Sequence, residues 1–298
     1  MTEANKKSIS RPLKSKTALI TGATGGFGKV LADKFVRAGA SLILFGRNKN
    51  LLKNLHQQLS SGLSKDQEVY LIEGDLKTIG DLPKLAAFYM NRLGVPDILI
   101  NNAGIVGPIG SVWKNSWSEW NETITVNFLA PVVLIRAYIP EMVNRGSGKI
   151  INISGGGATG PRPNFAAYGC SKAALVRFSE TLAEELRGTG ITVNCIAPGA
   201  LNTRMTQSIV NVGGEEAGKN EYSTALRLTQ ENDTETIKRA ADLAVFLSSS
   251  VSDRVTGKLI SAVWDPWKEL PEHLEELDRT DVYTLRRIVP KDRDMDWG

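Results

Sequence analysis

Residues 17–35 read TALITGATGGFGKVLADKF, and this stretch decides the fold. TALIT (17–21) is a short apolar run of strand length, and KVLADKFVRAGA (29–40) carries its apolar residues at helical spacing. Between them, Gly22, Gly25, Gly26 and Gly28 remove side chains from the turn. Such a turn lets backbone N–H groups and the helix N-terminus approach a pyrophosphate without Cβ interference. Taken alone, the same glycines equally suit a purely structural tight turn. No GKS or GKT follows, so the turn is not a nucleoside triphosphatase phosphate loop.

Working outward, the pattern repeats along the chain. Apolar runs SLILFG (41–46), EVYLIEGDL (68–76), DILINNAG (97–104), GKIINIS (148–154), GITVNCIAPG (190–199) and GKLISAV (257–263) alternate with helical segments. Those segments lie at 50–60, 81–93, a Trp-bearing region reaching 144, 165–187 and 234–248. Strands that are apolar almost throughout, alternating with helices, predict an α/β fold: one Rossmann-type, doubly wound parallel sheet with helices on both faces. As the first strand–helix junction of that sheet, the glycine turn becomes a dinucleotide site. The predicted organisation is a flexible N-terminal arm (1–14), a dinucleotide-binding catalytic domain (15–264) and a C-terminal extension (265–298). Within the domain, the polar segment 200–230 follows a strand end and is expected to form a substrate lid. The extension is too small for a domain, so it is a packing element or an oligomer contact.

Composition narrows the function. The 298 residues are 42% hydrophobic and 23% charged, with a formal charge of +4, as in an ordinary globular protein. The basic residues are dispersed without aromatic interleaving, so no nucleic-acid partner is expected. No run of about 18 apolar residues stands out, so no membrane span is expected. The start, MTEANKKSISRPLKSK, lacks the apolar core of a secretory signal. Cys170 and Cys195 have neither metal-ligand nor disulfide-framework spacing, and are read as reduced core residues of a cytoplasmic protein. With only His56 and His273 available, and no clustered carboxylates, no metal site is expected.

The second strand ends in LILFGRN. A carboxylate there would accept from the adenosine ribose 2′-OH, but this chain has Gly46 followed by Arg47. A guanidinium at that place suits a 2′-phosphate, which favours NADP(H) over NAD(H). Asp75 closes the third strand, within reach of an adenine amino group.

Five motifs in register now carry a resemblance: TGATGGFG (21–28), NNAG (101–104), Asn127 in TVNFLAP, YGCSK (168–172) and PGALNT (198–203). Over residues 15–263 the chain resembles the short-chain dehydrogenase/reductase family, in the branch with a TGxxxGxG cofactor loop. The resemblance implies a nicotinamide cofactor across the strand ends, with interconversion of a ketone or aldehyde and an alcohol by hydride transfer. It places Gly22, Thr24, Gly25, Gly26, Phe27 and Gly28 in the cofactor loop and Asp75 at the adenine. Asn102, Ala103 and Gly104 line the adenosine side, while Pro198, Gly199, Leu201 and Thr203 hold the nicotinamide carboxamide. Helix-mediated homodimers or homotetramers follow from the same resemblance, although the usual last strand and short tail are replaced here by a longer extension.

The chemistry centres on Tyr168 and Lys172, four residues apart and so on one helical face. Tyr168 is the expected general acid/base. A free phenol near pKa 10 is a poor base at pH 7, and an ammonium one turn away stabilises its phenolate. The resemblance also gives Lys172 hydrogen bonds to the nicotinamide ribose and gives Asn127 a water in the proton path. Family members carry a hydroxyl thirteen residues before the tyrosine, a position held here by Gly155, with Ser154 one residue early. Either the Gly155–Gly157 segment contains an extra residue and returns Ser154 to the site, which is the reading adopted, or the site lacks this hydroxyl. Asn164 is expected to cap the tyrosine helix. Trp113, Trp117 and Trp120 are expected to share one helical face in core or interface packing. The competing function is a cofactor-binding scaffold or redox sensor with little catalysis, which only the serine spacing favours.

Overall fold

The computed structural model describes residues 11–231 and 234–297. Seven parallel strands form one sheet. They are β1 (Thr17–Thr21), β2 (Ser41–Gly46), β3 (Val69–Glu73), β4 (Ile98–Asn101), β5 (Gly148–Ile153), β6 (Ile191–Ala197) and β7 (Leu259–Ser261). Their order, β3-β2-β1-β4-β5-β6-β7, reverses direction at β1, which pairs with both β2 and β4. A crevice at the carboxyl ends of β1 and β4 is the ligand position such a sheet provides.

Helices cover both faces. One core layer packs α1 (Gly26–Arg37), α2 (Lys49–Leu59) and α9 (Glu235–Ser248) on the sheet through Leu31, Phe35, Leu52, Leu243 and Leu247. The other packs α3 (Leu82–Leu93), α5 (Ala130–Arg145) and α6 (Ala166–Glu185) through Leu82, Leu134, Ile135, Tyr138 and Leu182. α4 (Trp117–Ile124) and α5 are joined by a π-helical turn at Thr125–Leu129 into one helix of 29 residues. By length and composition this helix meets the measure of a membrane span, contrary to the sequence reading. Its apolar side lies in the second core layer.

The strands are shorter than the apolar runs, and at the ends of β4 and β7 a polar side chain takes up backbone N–H groups. β4 stops at Asn101 because Thr21 Oγ1 accepts from the N–H groups of Asn102 and Ala103 at 3.0 and 3.1 Å. β7 stops at Ser261, whose N–H donates to the Asp265 carboxylate at 2.6 Å.

The segment 200–230 folds into α7 (Arg204–Ala217), interrupted at Gly213, and α8 (Lys219–Gln230). Residues 1–10 of the expected arm lie outside the described residues, but 11–14 are not loose. Leu13 is fully buried and its N–H donates to Ala38 O at 2.9 Å. The C-terminal extension packs on the domain: Trp267, Leu270 and Leu277 enter the core beside α9. Tyr283 O accepts from Leu259 N at 2.8 Å, so the extension covers the outer edge of β7.

Three further expectations change. Cys170 is exposed on α6, and only Cys195 is buried. Asn164 does not cap α6: its φ of +69° is left-handed, Phe165 takes the cap position, and no side chain bonds the helix end. Trp113 precedes α4, so the three tryptophans share no helical face, and Trp113 and Trp117 are 80% and 70% exposed rather than core.

Candidate active site

The glycine turn is built for close approach. Gly22 has φ +61°, and a Cβ there would lie 2.9 Å from Ala103 Cα. A Cβ on Gly28 would overlap the Gly22 carbonyl and sit 2.9 Å from Ala23 Cα. Helix α1 begins with Gly25 at its cap, no side-chain cap bond and no acidic residue in its first turn, so its positive end is left for an anion. Asn102 ties the turn down by donating to the Thr21 and Gly22 carbonyls at 2.9 and 3.2 Å. Across the crevice, Thr203 Cγ2 comes within 3.6 Å of where a Gly26 Cβ would be, bringing PGALNT over the loop. These residues fit a dinucleotide: Gly22, Gly26 and Gly28 at the pyrophosphate, with Thr24 and Phe27 in the same turn.

At the end of β2, exposed Arg47 follows the strand directly, and Gly46 lies beside Thr24, its Cβ position 3.7 Å from Thr24 Oγ1. Asp75 is two residues beyond β3, and its carboxylate accepts from Lys77 N at 3.0 Å. Pro198, Gly199, Leu201 and Thr203 form the loop after β6. Gly199, at φ +88°, packs so tightly that a Cβ would meet Val263 Cγ2 at 2.7 Å.

Tyr168 and Lys172 lie in the first turns of α6, 5% and 3% exposed. Lys172 Nζ donates to Ile153 O at the end of β5 (2.7 Å) and lies 5.8 Å from the Tyr168 ring centroid. Burial lowers the Lys172 ammonium to about 8 and raises the Tyr168 phenol, while the nearby Arg162 guanidinium acts to lower it. Asn127 stands in the π-helical turn between α4 and α5. Its Oδ1 accepts from Ile105 N at 2.9 Å, and its Nδ2 donates to Ile105 O and Ser171 Oγ at 2.9 and 3.0 Å. A Cβ on Gly104 would lie 3.3 Å from Asn127 Oδ1 and 3.5 Å from Lys172 Nζ. Gly104, Asn127 and Lys172 therefore meet at one point, with Tyr168 a turn away.

The chain as a whole is similar to known proteins. The family model "short chain dehydrogenase" matches residues 16–212. The chain belongs to this family. Among its relatives is the dehydrogenase/reductase SDR family member 4 of Sus scrofa, 30% identical over 254 residues, covering 84% of this chain and 86% of that one. The uncharacterized oxidoreductase YvrD of Bacillus subtilis is 30% identical over 254 residues, covering 82% and 94%. Among solved structures, a putative NAD(P)-dependent gluconate 5-dehydrogenase from Beutenbergia cavernae with bound NADP superposes with a TM-score of 0.73. It is 28% identical and the match covers 85% of this chain and 96% of that one. This short-chain dehydrogenase is thus an NAD(P)-dependent oxidoreductase.

Against the family pattern, one position of the dehydrogenase departs. A Cβ on Gly155 would overlap the Tyr168 hydroxyl and lie 3.1 Å from its Cζ, so position 155 faces the phenol. Ser154 is 2% exposed, and its Oγ has no hydrogen-bond partner. The strand alternation carries past β5 without an inserted residue, and Ser154 does not take the hydroxyl's place.

Other parts of the site have no role assigned from the sequence. Thr21 is a hub at the end of β1, and Asn101, Asn152 and Ser179 form a buried chain at 2.8 Å per link. Asn101 opens the NNAG motif, whereas Asn152 in β5 and Ser179 in α6 are marked only by their polarity among apolar neighbours. Tyr168 lies in an apolar cluster with Val106, Phe165, Ile209 and Ala217 of α7, and Ala225 of α8. Arg162 rests its guanidinium 4.2 Å from the Phe165 ring centroid and 5.5 Å from that of Tyr168. It forks onto Glu221 of α8 through Nε (2.8 Å) and Nη2 (2.7 Å).

Proposed function

We propose that the enzyme is an NADPH-preferring carbonyl reductase of ketones or aldehydes, working in the reverse direction on alcohols, with Tyr168 as general acid/base. The carrying observation is the burial of Tyr168 and Lys172 together at the strand ends, with Asn127 bracing the same point. Bound NADPH supplies the hydride. Tyr168 holds the proton destined for the carbonyl oxygen, and its hydroxyl is the acidic group nearest the Gly155 backbone. Lys172, held by Ile153 O, presents a positive charge that favours the phenolate left behind, lowering the cost of proton release. Asn127 keeps the Ile105 backbone and α6 in register with that pair. The lid excludes water from the phenol through Ile209, Ala217 and Ala225.

Arg47 supports the NADPH preference, being the exposed cation that follows β2 where a carboxylate would select NADH. The β7 edge, covered by Tyr283, supports a helix-built homodimer over a tetramer joined at the last strand. Two free thiols, Cys170 and Cys195, fit a reducing cytoplasm.

The test is NADPH oxidation with a panel of ketones and aldehydes. Tyr168→Phe is expected to lower kcat by about 10²–10⁴-fold with NADPH still bound. Arg47→Ala is expected to weaken NADPH by about 10-fold or more and NADH little. If no carbonyl is reduced, or Tyr168→Phe matches wild type, the protein is a cofactor-binding scaffold, the reading that the missing hydroxyl at position 155 favours.

A further inference from the structure

Gly155, the position that faces the Tyr168 hydroxyl, brings no side chain to share a substrate oxygen with it. Besides Lys172, the Arg162 guanidinium is a donor close to the phenol, 5.5 Å from its ring centroid. Arg162, between Pro161 and Pro163, is only 17% exposed, and its stem packs on Gly157, Cβ and Cδ lying 3.2 and 3.7 Å from where a Cβ of that glycine would be. Glu221 engages Nε and Nη2, fixing the plane of the guanidinium over the Phe165 and Tyr168 rings. Nη1 donates to no described residue and lies 3.9 Å from where a Cβ on Gly156 would be. Nη1 thus lies next to the glycine segment that borders the phenol. A fork held by a carboxylate is preorganised, so little further side-chain entropy is lost when the third nitrogen binds a ligand.

The charges name the ligand class. Both oxygens of Glu221 are within 2.8 Å of the guanidinium, so the pair is close to neutral and a second carboxylate would face the first. A neutral oxygen acceptor faces no such repulsion and still receives a charge-assisted hydrogen bond. We propose that Arg162 is the substrate-positioning residue of this enzyme, holding Nη1 beside Tyr168 for a second neutral oxygen, so that carbonyl compounds bearing a nearby hydroxyl or carbonyl are selected over plain ketones. This rests on the reductase reading above. It extends that reading from a reaction type to a substrate class.

The experiment compares matched pairs, cyclohexanone with 1,2-cyclohexanedione and with 2-hydroxycyclohexanone, using the full chain and NADPH. The measured quantity is the kcat/KM ratio within each pair, compared between wild type and Arg162→Met. Intrinsic reactivity of the dione cancels in that comparison. The ratio is expected to fall by about 10-fold or more in the variant, chiefly through KM, because one hydrogen bond to a charged donor is lost. An unchanged ratio, or an equal loss on both members of each pair, overturns the proposal and leaves Arg162 a lid anchor. If Arg162→Met does not fold, Arg162→Lys retains a charge but only one nitrogen, which Glu221 holds, so no nitrogen is left at the Nη1 position and the same fall is expected.

Binding separates this from the parent reading. On Tyr168→Phe loaded with NADPH, titration calorimetry should show the oxygen-bearing ligands binding more tightly than cyclohexanone, and Arg162→Met should abolish the difference. That result without wild-type turnover refutes the reductase reading and keeps the assignment of Arg162. Equal affinities with turnover intact do the reverse.

Discussion

Substituting Gly155→Ala adds a single methyl group against the Tyr168 hydroxyl, the proposed proton donor, and its effect can be worked from the contacts. The new Cβ would overlap Tyr168 Oη and lie 3.1 and 3.3 Å from Cζ and Cε1. Restoring van der Waals separation moves the hydroxyl by roughly 1 Å. The ring has little freedom to retreat. Val106, Phe165, Ile209, Ala217 and Ala225 pack around it, and the Arg162 guanidinium lies over it. Overpacking of this kind costs about 1–3 kcal/mol in stability. Displacing the proton donor by about 1 Å costs on the order of 10²-fold in kcat. Steady-state kinetics with NADPH and a turned-over ketone, a fluorescence titration of NADPH and a thermal melt together make the assay. The expected outcome is a large drop in kcat, a lower Tm and an NADPH affinity changed far less, because the pyrophosphate turn is Gly22–Gly28. Ser154→Ala is the control: it removes a buried hydroxyl with no partner, and kcat should stay within about threefold. Wild-type kcat and Tm in Gly155→Ala, or a gain of activity in Gly155→Ser, would refute the reasoning, since either requires room beside the phenol.

Lys172 gives a pH signature. Its ammonium falls from 10.5 to about 8 on burial, so between those pH values the unfolded chain binds more protons than the folded one and stability rises with pH. Below pH 8 the buried charge costs about 3 kcal/mol, and Lys172→Met should remove most of that cost. Melts of the cofactor-free protein are expected to show the variant more stable at pH 7 and its advantage fading towards pH 10.5; a pH-independent difference counts against a buried charge. In the extension, Trp267 is 5% exposed and packs on Phe246, so Trp267→Ala should destabilise by about 3–5 kcal/mol in denaturant unfolding. A loss below about 1 kcal/mol would mean that the extension is not part of the core.

Local signals carried much of this protein. The glycine turn at 22–28 needs only backbone sterics and a helix end, so it reads directly from residue type and spacing. Tyr168 and Lys172 are one turn apart, and helical periodicity alone puts them on one face. The parallel sheet followed from apolar runs alternating with helices, because strands buried on both faces leave no polar alternation. What lay beyond reach was whatever depends on approach between distant segments. Cys170 and the tryptophans share their residue type with core positions, and only packing shows that Cys170, Trp113 and Trp117 face solvent. The 265–298 extension had no periodicity to say that Trp267 and Leu277 would join the core or that Tyr283 would cover β7. The count to Gly155 raised the question of the missing hydroxyl, but strand alternation could not answer it until the phenol was seen against that backbone. Arg162 and Glu221 are 59 residues apart, and no motif links them. Sequence determined the fold, the cofactor turn and the Tyr–Lys pair, because each is set by residues within a few positions of one another. Tertiary structure alone decided what surrounds the phenol, because those neighbours come from a loop, from α7 and α8 and from a strand end that meet only when the chain has folded.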